Sequence, residues 1–389
     1  MASLQTRNPV ILNGGDALLR MLLFWSMFLP LDCLWSVDRR TAKKRPAELF
    51  RSTATAGVMF QVCLMYWMTG YFKFEGAWRG HEALASSLQF DSYALPLAYL
   101  LRESPGLISL AGKLVLTLEL VGPMILLVPF RRWPWRCLIV GLFALLHLAI
   151  QLTLTVGLFS WVCWTALLLF IPSGFWDSIS RSGWSWLERP KTSKTGDAPT
   201  ASGVRRRVAT DLLLVTVTVY VAWTNLSGTR FVDRRFHPPA AARRFGDLLF
   251  LHQKWRLFDS TPSHDGWYVP MARLQDGRTV DLLRDGAEAD WDSFTKPKYT
   301  YRRFPDHRWR KLYRRLLAEK WIQFREPLCR YLAAKWNQQH GGDERAIRIE
   351  LEFIEEMSDD PRSDRYVQRS LHAIDVPITQ EPARQPPQP

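Results

Sequence analysis

The chain has 389 residues, room for two or three domains, and carries a formal net charge of +14. Nucleic acid is the usual partner for such charge, but the Lys and Arg cluster beside apolar runs confined to the first 226 residues, so membrane topology accounts for much of the excess and no nucleic acid is expected. Five cysteines with no CxxC or Cys/His spacing exclude a disulfide framework and indicate no metal site.

In chain order, the polar start shows no basic n-region and so is not a cleavable signal peptide. Asn13-Gly14-Gly15-Asp16 reads as a turn followed by a helix cap. Residues 17–34 form the first apolar run, interrupted by Arg20 and Asp32. Residues 39–51 hold six basic residues against one acidic. The second run, 53–72, ends in an aromatic cluster (Tyr66, Trp67, Tyr71, Phe72, Phe74, Trp78) into which the chain places Lys73. Further runs cover 107–128, 137–155, 158–171 and 208–226. About 20 residues at ~1.5 Å each cross a bilayer core, so the pattern predicts about six spans. The basic connections 39–51, 131–136 and 181–207 then share one side, and the positive-inside rule makes it the inner one. Lys73, the N-terminus and the polar tail fall on the other side, the extracytoplasmic side of an inner membrane. An outside N-terminus before a short first span leads us to expect further helices upstream.

The tail, 227–375, reads as a small α+β domain followed by a disordered end at 376–389. Strands are expected at 267–273 and 279–283, joined by Gln275-Asp276-Gly277-Arg278, and at 347–354. Residues 309–336 form a basic amphipathic stretch, read as two helices broken before Pro327.

Polar side chains within apolar runs are costly and face partners or cavities. Glu119 lies mid-run beside Gly122-Pro123, with Lys113 two turns earlier, and His147 and Gln151 are four apart on one helix face. Lys73 admits two readings: a snorkelling residue marking a helix end, or a desolvated amine able to act as a base. Glu119, His147 and Gln151 likewise serve either as helix–helix hydrogen bonds or as the lining of a pocket. No GxSxG, HExxH, P-loop or GxGxxG stands in a fitting context. The residues alone therefore reach a polytopic membrane protein with an outward polar pocket.

The segments 24–38, Gly70 to Trp78, and His147 to Ser160 together resemble the vitamin K-dependent γ-carboxylase superfamily, often called the HTTM (horizontally transferred transmembrane) domain. Lys73 falls on the lysine taken in that family to be the base that deprotonates reduced vitamin K. Leu118-Glu119-Leu120 keeps a carboxylate at the family's Leu-Asp-Leu, and His147 with Gly157-Leu158-Phe159-Ser160 matches its His and Gly-x-Phe-Ser. Trp255 and Asp276-Gly277-Arg278-Thr279 resemble the start of its lumenal part. The resemblance implies Lys73 and His147 as catalytic residues, with Glu119, Gln151 and Trp255 binding substrate. It also implies reduced vitamin K or menaquinol as cofactor, and an exported peptide or protein bearing the Glu that is carboxylated. Gly15 stands where animal carboxylases have a histidine. A second function therefore stays open, a membrane factor for maturation, export or assembly that uses the same bundle without carboxylation.

Overall fold

The computed structural model describes residues 2–29, 31, 52–75, 83–128, 133–181, 201–258, 265–289, 294–356 and 366–377. The basic stretch 39–51, most of 181–207, Trp78 and the Pro/Gln-rich end lie outside the described residues. The described residues up to 250 are mainly helical: α1 (Ala2–Arg7), α2 (Gly14–Ser26), α3 (Thr53–Glu75), α4 (Ala83–Gln89), α5 (Pro96–Arg102), α6 (Pro105–Leu127), α7 (Trp133–Thr153), α8 (Phe159–Leu167), α9 (Ser173–Arg181), α10 (Ala201–Leu226) and α11 (Ala240–Leu248).

Asn13 starts α2 through a capping box: its side chain accepts from Asp16 N–H, and Asp16 Oδ2 accepts from Asn13 N–H at 2.9 Å. Helix α3 is the hub and packs against α2, α6 and α10. It can do so because small residues let the backbones close up. A Cβ on Gly57 would lie 2.4 Å from the Trp25 ring, and one on Gly70 would lie 3.1 Å from Glu119 Cβ. In α6 the buried positions Ile108, Gly112, Glu119, Gly122 and Leu126 make one stripe. Pro123 removes a helical N–H there, and Trp67 Nε1 donates across to the neighbouring Leu120 carbonyl at 3.0 Å.

Among the described residues, three helices are long and apolar enough to cross a membrane: Pro105–Leu127, Pro134–Thr153 and Arg207–Leu226. Their outward faces carry exposed leucines such as Leu110, Leu145 and Leu212, as lipid contact requires. Six spans were expected. Residues 53–72 fall on α3, which is 23 residues long, carries Gln61, Thr69, Lys73 and Glu75 and is largely buried among its neighbours, so the count of six is not shown. Residues 158–171 form only a short apolar helix, and the described part of 17–34 holds a 13-residue helix. Lys73, the start of α6, the end of α7 and the end of α10 lie at one end of the bundle, where the tail docks.

The tail is an antiparallel sheet backed by helices. Strands β1 (Asp265–Leu274), β2 (Thr279–Asp281), β3 (Ala287–Glu288), β4 (Ala346–Glu356) and β5 (Tyr366–Asp375) lie in the order β3-β2-β1-β4-β5. Between β3 and β4 come α12 (His307–Arg315) and α13 (Arg325–Gln339). The expected break before Pro327 is displaced. It falls at a short 3-10 helix, Glu319–Phe324, while Pro327 sits in the first turn of α13, where its missing N–H has no helical partner to lose. Tyr268, Ala272, Ile349, Leu351 and Phe353 pack against Tyr313, Leu328 and Leu332 to form the domain's core.

The tail is stitched to the bundle by charged groups. Arg308 meets Asp16 at 3.0 Å, and Arg315 donates to Pro9 O at 2.6 Å and Leu12 O at 3.0 Å. Lys296 bridges Asp91 (2.8 Å) and Glu356 (2.7 Å), and Arg102 also holds Asp91 at 2.7 Å. Carboxylate oxygens of Asp91, Asp265 and Glu356 lie within 4.8 Å of one another, and the Lys296 ammonium already sits on two of the three.

Candidate functional site

The close approach at Gly70 brings α3 and α6 together so that Lys73, one turn further on, reaches Glu119. Lys73 Nζ lies 2.6 Å from Glu119 Oε1, and each residue is 4 % exposed. One helical turn and more back along α3, Tyr66 Oη meets His147 Nε2 at 2.8 Å, and His147 is 2 % exposed. Tyr66 stacks on Phe143, with ring centroids 4.1 Å apart, and His147 meets Phe159 edge-on at 5.5 Å. Two helix pairs thus carry two polar pairs, and Lys73 is close enough to act electrostatically on His147.

Both pairs are incomplete. Glu119 Oε2 and His147 Nδ1 are buried without a hydrogen-bond partner among the described residues, as is Ser160 Oγ beside Phe159. Unsatisfied buried polar atoms each cost roughly 1–3 kcal/mol, so these three are positions where a polar group or a water would be accommodated favourably. In the tautomer in which Tyr66 donates to Nε2, the imidazole carries its proton on Nδ1 and presents a donor; in the other, Nε2 donates to Tyr66 and Nδ1 is an acceptor. Glu119 Oε2 presents an acceptor.

Gln151 shares the helix face of His147, and its Oε1 is buried without a partner among the described residues. Lys113 stands elsewhere, on a part of α6 outside that helix's buried stripe. Trp255 is fully buried in the helical core, where its Nε1 donates to Gln253 Oε1 at 2.9 Å. Gln253 in turn pairs with Gln61 of α3 at 2.7 Å. The structure therefore joins Lys73 to Glu119 and sets His147 near them, and gives Trp255 a separate polar network.

Two residues escaped the reading of the sequence. Tyr66 counts there only as an interfacial aromatic, yet it stands seven residues before Lys73 and so on the same helix face, which is the signal that could have found it. His307 gave no signal. Its ring packs onto the turn between α7 and α8, where a Cβ on Gly157 (φ +64°) would lie 2.4 Å from it. Gly15 meets the same turn, and a Cβ there would sit 2.9 Å from Phe159 Cα, so an imidazole does not fit at position 15. Burial, with Arg308 beside it, holds His307 below the usual histidine range.

Residues 16–175 match the family model of the HTTM domain. The chain carries an HTTM domain. That domain holds Tyr66, Lys73, Glu119 and His147, the whole polar cluster, while the sheet domain lies outside the match. The HTTM domain belongs in the general context of the vitamin K carboxylase-like superfamily. No curated protein and no solved structure matches the chain. With its apolar helices, the match to the HTTM domain points to a membrane protein.

Proposed function

We propose that the HTTM domain removes a proton from a glutamate of an exported peptide or protein, with reduced vitamin K or menaquinol as cofactor, and that CO2 adds to the carbon so exposed. The observation that carries this reading is the buried Lys73–Glu119 pair with the unpaired Glu119 Oε2 beside it.

A quinol headgroup has hydroxyls that need acceptors and donors in an apolar setting, and Glu119 Oε2 and His147 Nδ1 are of those two kinds. When bound, the quinol supplies, with oxygen, two electrons and the base strength that no side chain has. Lys73 does the local work. Burying two charges costs several kcal/mol per ion, so the proton shared across 2.6 Å can pass from Lys73 to Glu119 at small cost. That transfer leaves a neutral amine that takes a hydroxyl proton and becomes an ammonium again, while Glu119, now the neutral acid, gives its proton up to water before the next turnover. Tyr66 orients His147 throughout. On the substrate, the γ C–H bond breaks and its electron pair forms the new bond to CO2. This chemistry requires Lys73 and the tail on the extracytoplasmic side of the inner membrane, where exported substrates pass.

The test is an assay of purified wild type with reduced vitamin K or menaquinol, bicarbonate and a Glu-rich peptide. Wild type forms epoxide and fixes CO2, while Lys73→Ala does neither and still inserts in the membrane. A small exogenous amine partly restores the variant. Wild type with neither product overturns the reading and leaves the bundle as a scaffold for export or assembly.

A further inference from the structure

Where the tail meets the bundle there is a cavity of about 400 Å³, within the usual range for small-ligand sites. Its walls come from the start of α2, the loop around Tyr93, the turn at Phe159, the segment 256–258 and helix α12 with the residues after it. Six of its lining residues are basic in type: Arg256, His307, Arg310, Lys311, Arg314 and Arg315. None is acidic.

The bonds that fix Arg310, Arg314 and Arg315 do not neutralise them. Arg310 donates to the backbone carbonyls of Ser92 (3.0 Å) and Thr155, and its guanidinium stacks 3.6 Å from the Tyr93 ring centre. Arg314 donates to Tyr93 Oη at 2.5 Å, and Arg315 to the carbonyls of Pro9 and Leu12. Lys311 ion-pairs with no carboxylate among the described residues, nor do these three arginines. The crowding is felt by its neighbours. Burial, which alone would raise the Tyr93 phenol, is outweighed by Arg314, Lys311 and Arg310, and it ends below its ordinary range. Burial first, and then the neighbouring arginines, hold Lys311 down as well.

Three arginines held by neutral acceptors, with Lys311 beside them around one cavity, repel each other unless an anion joins them. Guanidinium forks suit tetrahedral oxyanions, which accept several charge-assisted bonds at once. The wall also holds the aromatic rings of Phe90, Phe159, Phe258 and Trp321, and its Val156 stands three residues past the end of α7 at Thr153, at the rim of a candidate membrane span.

We infer that this cavity binds a phosphate ester, its oxygens among Arg310, Lys311, Arg314 and Arg315 and its apolar part against the aromatic wall. Two sources share that chemistry, the headgroup of a membrane phospholipid and a soluble phosphate. The site is independent of the quinol chemistry proposed above, since its cations belong to the tail.

The experiment is isothermal titration calorimetry of the full chain in a non-ionic detergent at fixed ionic strength. The probes are dihexanoyl phosphatidic acid, inorganic phosphate and a Glu-rich peptide. Saturable binding of the phosphatidic acid, stronger than that of inorganic phosphate, supports the site with a lipid source. Equal binding of both supports it with a soluble source. Lys311→Gln weakens phosphate binding about tenfold, the equivalent of ~1.4 kcal/mol, and Lys311→Arg, which keeps the charge, binds within about twofold of wild type. No binding of either phosphate to wild type, binding of the peptide alone, or unchanged affinity in a folded Lys311→Gln variant overturns the inference.

Discussion

Lys73 Nζ stands 2.6 Å from Glu119 Oε1, and both residues are withdrawn from solvent on facing helices. Removing one partner leaves the other charge buried alone, which costs roughly 3–5 kcal/mol, whereas replacing both by apolar residues is often neutral. Lys73→Met and Glu119→Leu singly therefore lower the unfolding midpoint in detergent, and the double variant recovers most of the loss. The double variant, folded and without quinol oxidation, separates stability from chemistry. Additive losses in the double variant would show that the two do not form a coupled pair.

Tyr66→Phe removes one hydroxyl and leaves His147 Nε2 buried without its partner. The expected loss is ~1–3 kcal/mol of stability. Phe at 66 keeps the stacking on Phe143, so a larger loss would mean that the hydroxyl serves more than His147.

The turn at Gly157 has φ +64°, which favours glycine, and His307 fills the space a side chain would take. Gly157→Ala thus carries two penalties, backbone strain of about 1–2 kcal/mol and a clash. Adding His307→Ala relieves only the clash. Thermal unfolding of the three variants reads this directly: the double variant lies above Gly157→Ala and still below wild type.

The residues on either side of the tail–bundle junction were far less legible than the cores. Apolar runs, the cap at Asn13 and the alternation in 347–354 all rest on local patterns, and α2, α6, α7, α10 and β4 appear accordingly. Lys73, Glu119 and His147 were visible because a charge in an apolar run is anomalous wherever it ends up. That α3 is the buried hub was not legible, because length and apolarity do not tell a lipid-facing helix from a hub, and its burial depends on Gly57 and Gly70 meeting Trp25 and Glu119. Strand β5 alternates poorly because, with one neighbour in the sheet, it is half-buried or exposed throughout. Arg310, Arg314 and Arg315 reach partners more than two hundred residues away, which no local pattern reports.

Acidity acts on the same junction. Burial, and then the neighbouring Asp91 charge, push Asp265 up to about 7, while Lys296 and Arg102 hold Asp91 below its ordinary value. A carboxyl whose folded value is raised adds stability that is complete below its unfolded value near 3.8 and is lost as pH rises through about 7. Asp265→Asn keeps an acceptor for the Asp91 N–H but does not titrate. The difference in melting temperature between wild type and Asp265→Asn should therefore shift against wild type from pH 5 to pH 8. A difference that stays flat over that window would show that Asp265 titrates normally.

The most direct measurement of the proposed chemistry follows the proton itself. A Glu-rich peptide carrying tritium on the glutamate γ-carbon is incubated with the full chain, a reduced quinone and oxygen, without bicarbonate. The account predicts release of tritium into water that requires both the quinol and Lys73, and that falls to background in Lys73→Ala and in the folded Lys73→Met/Glu119→Leu variant. Tritium retained by the peptide with wild type, or released equally by the Lys73 variants, would contradict it.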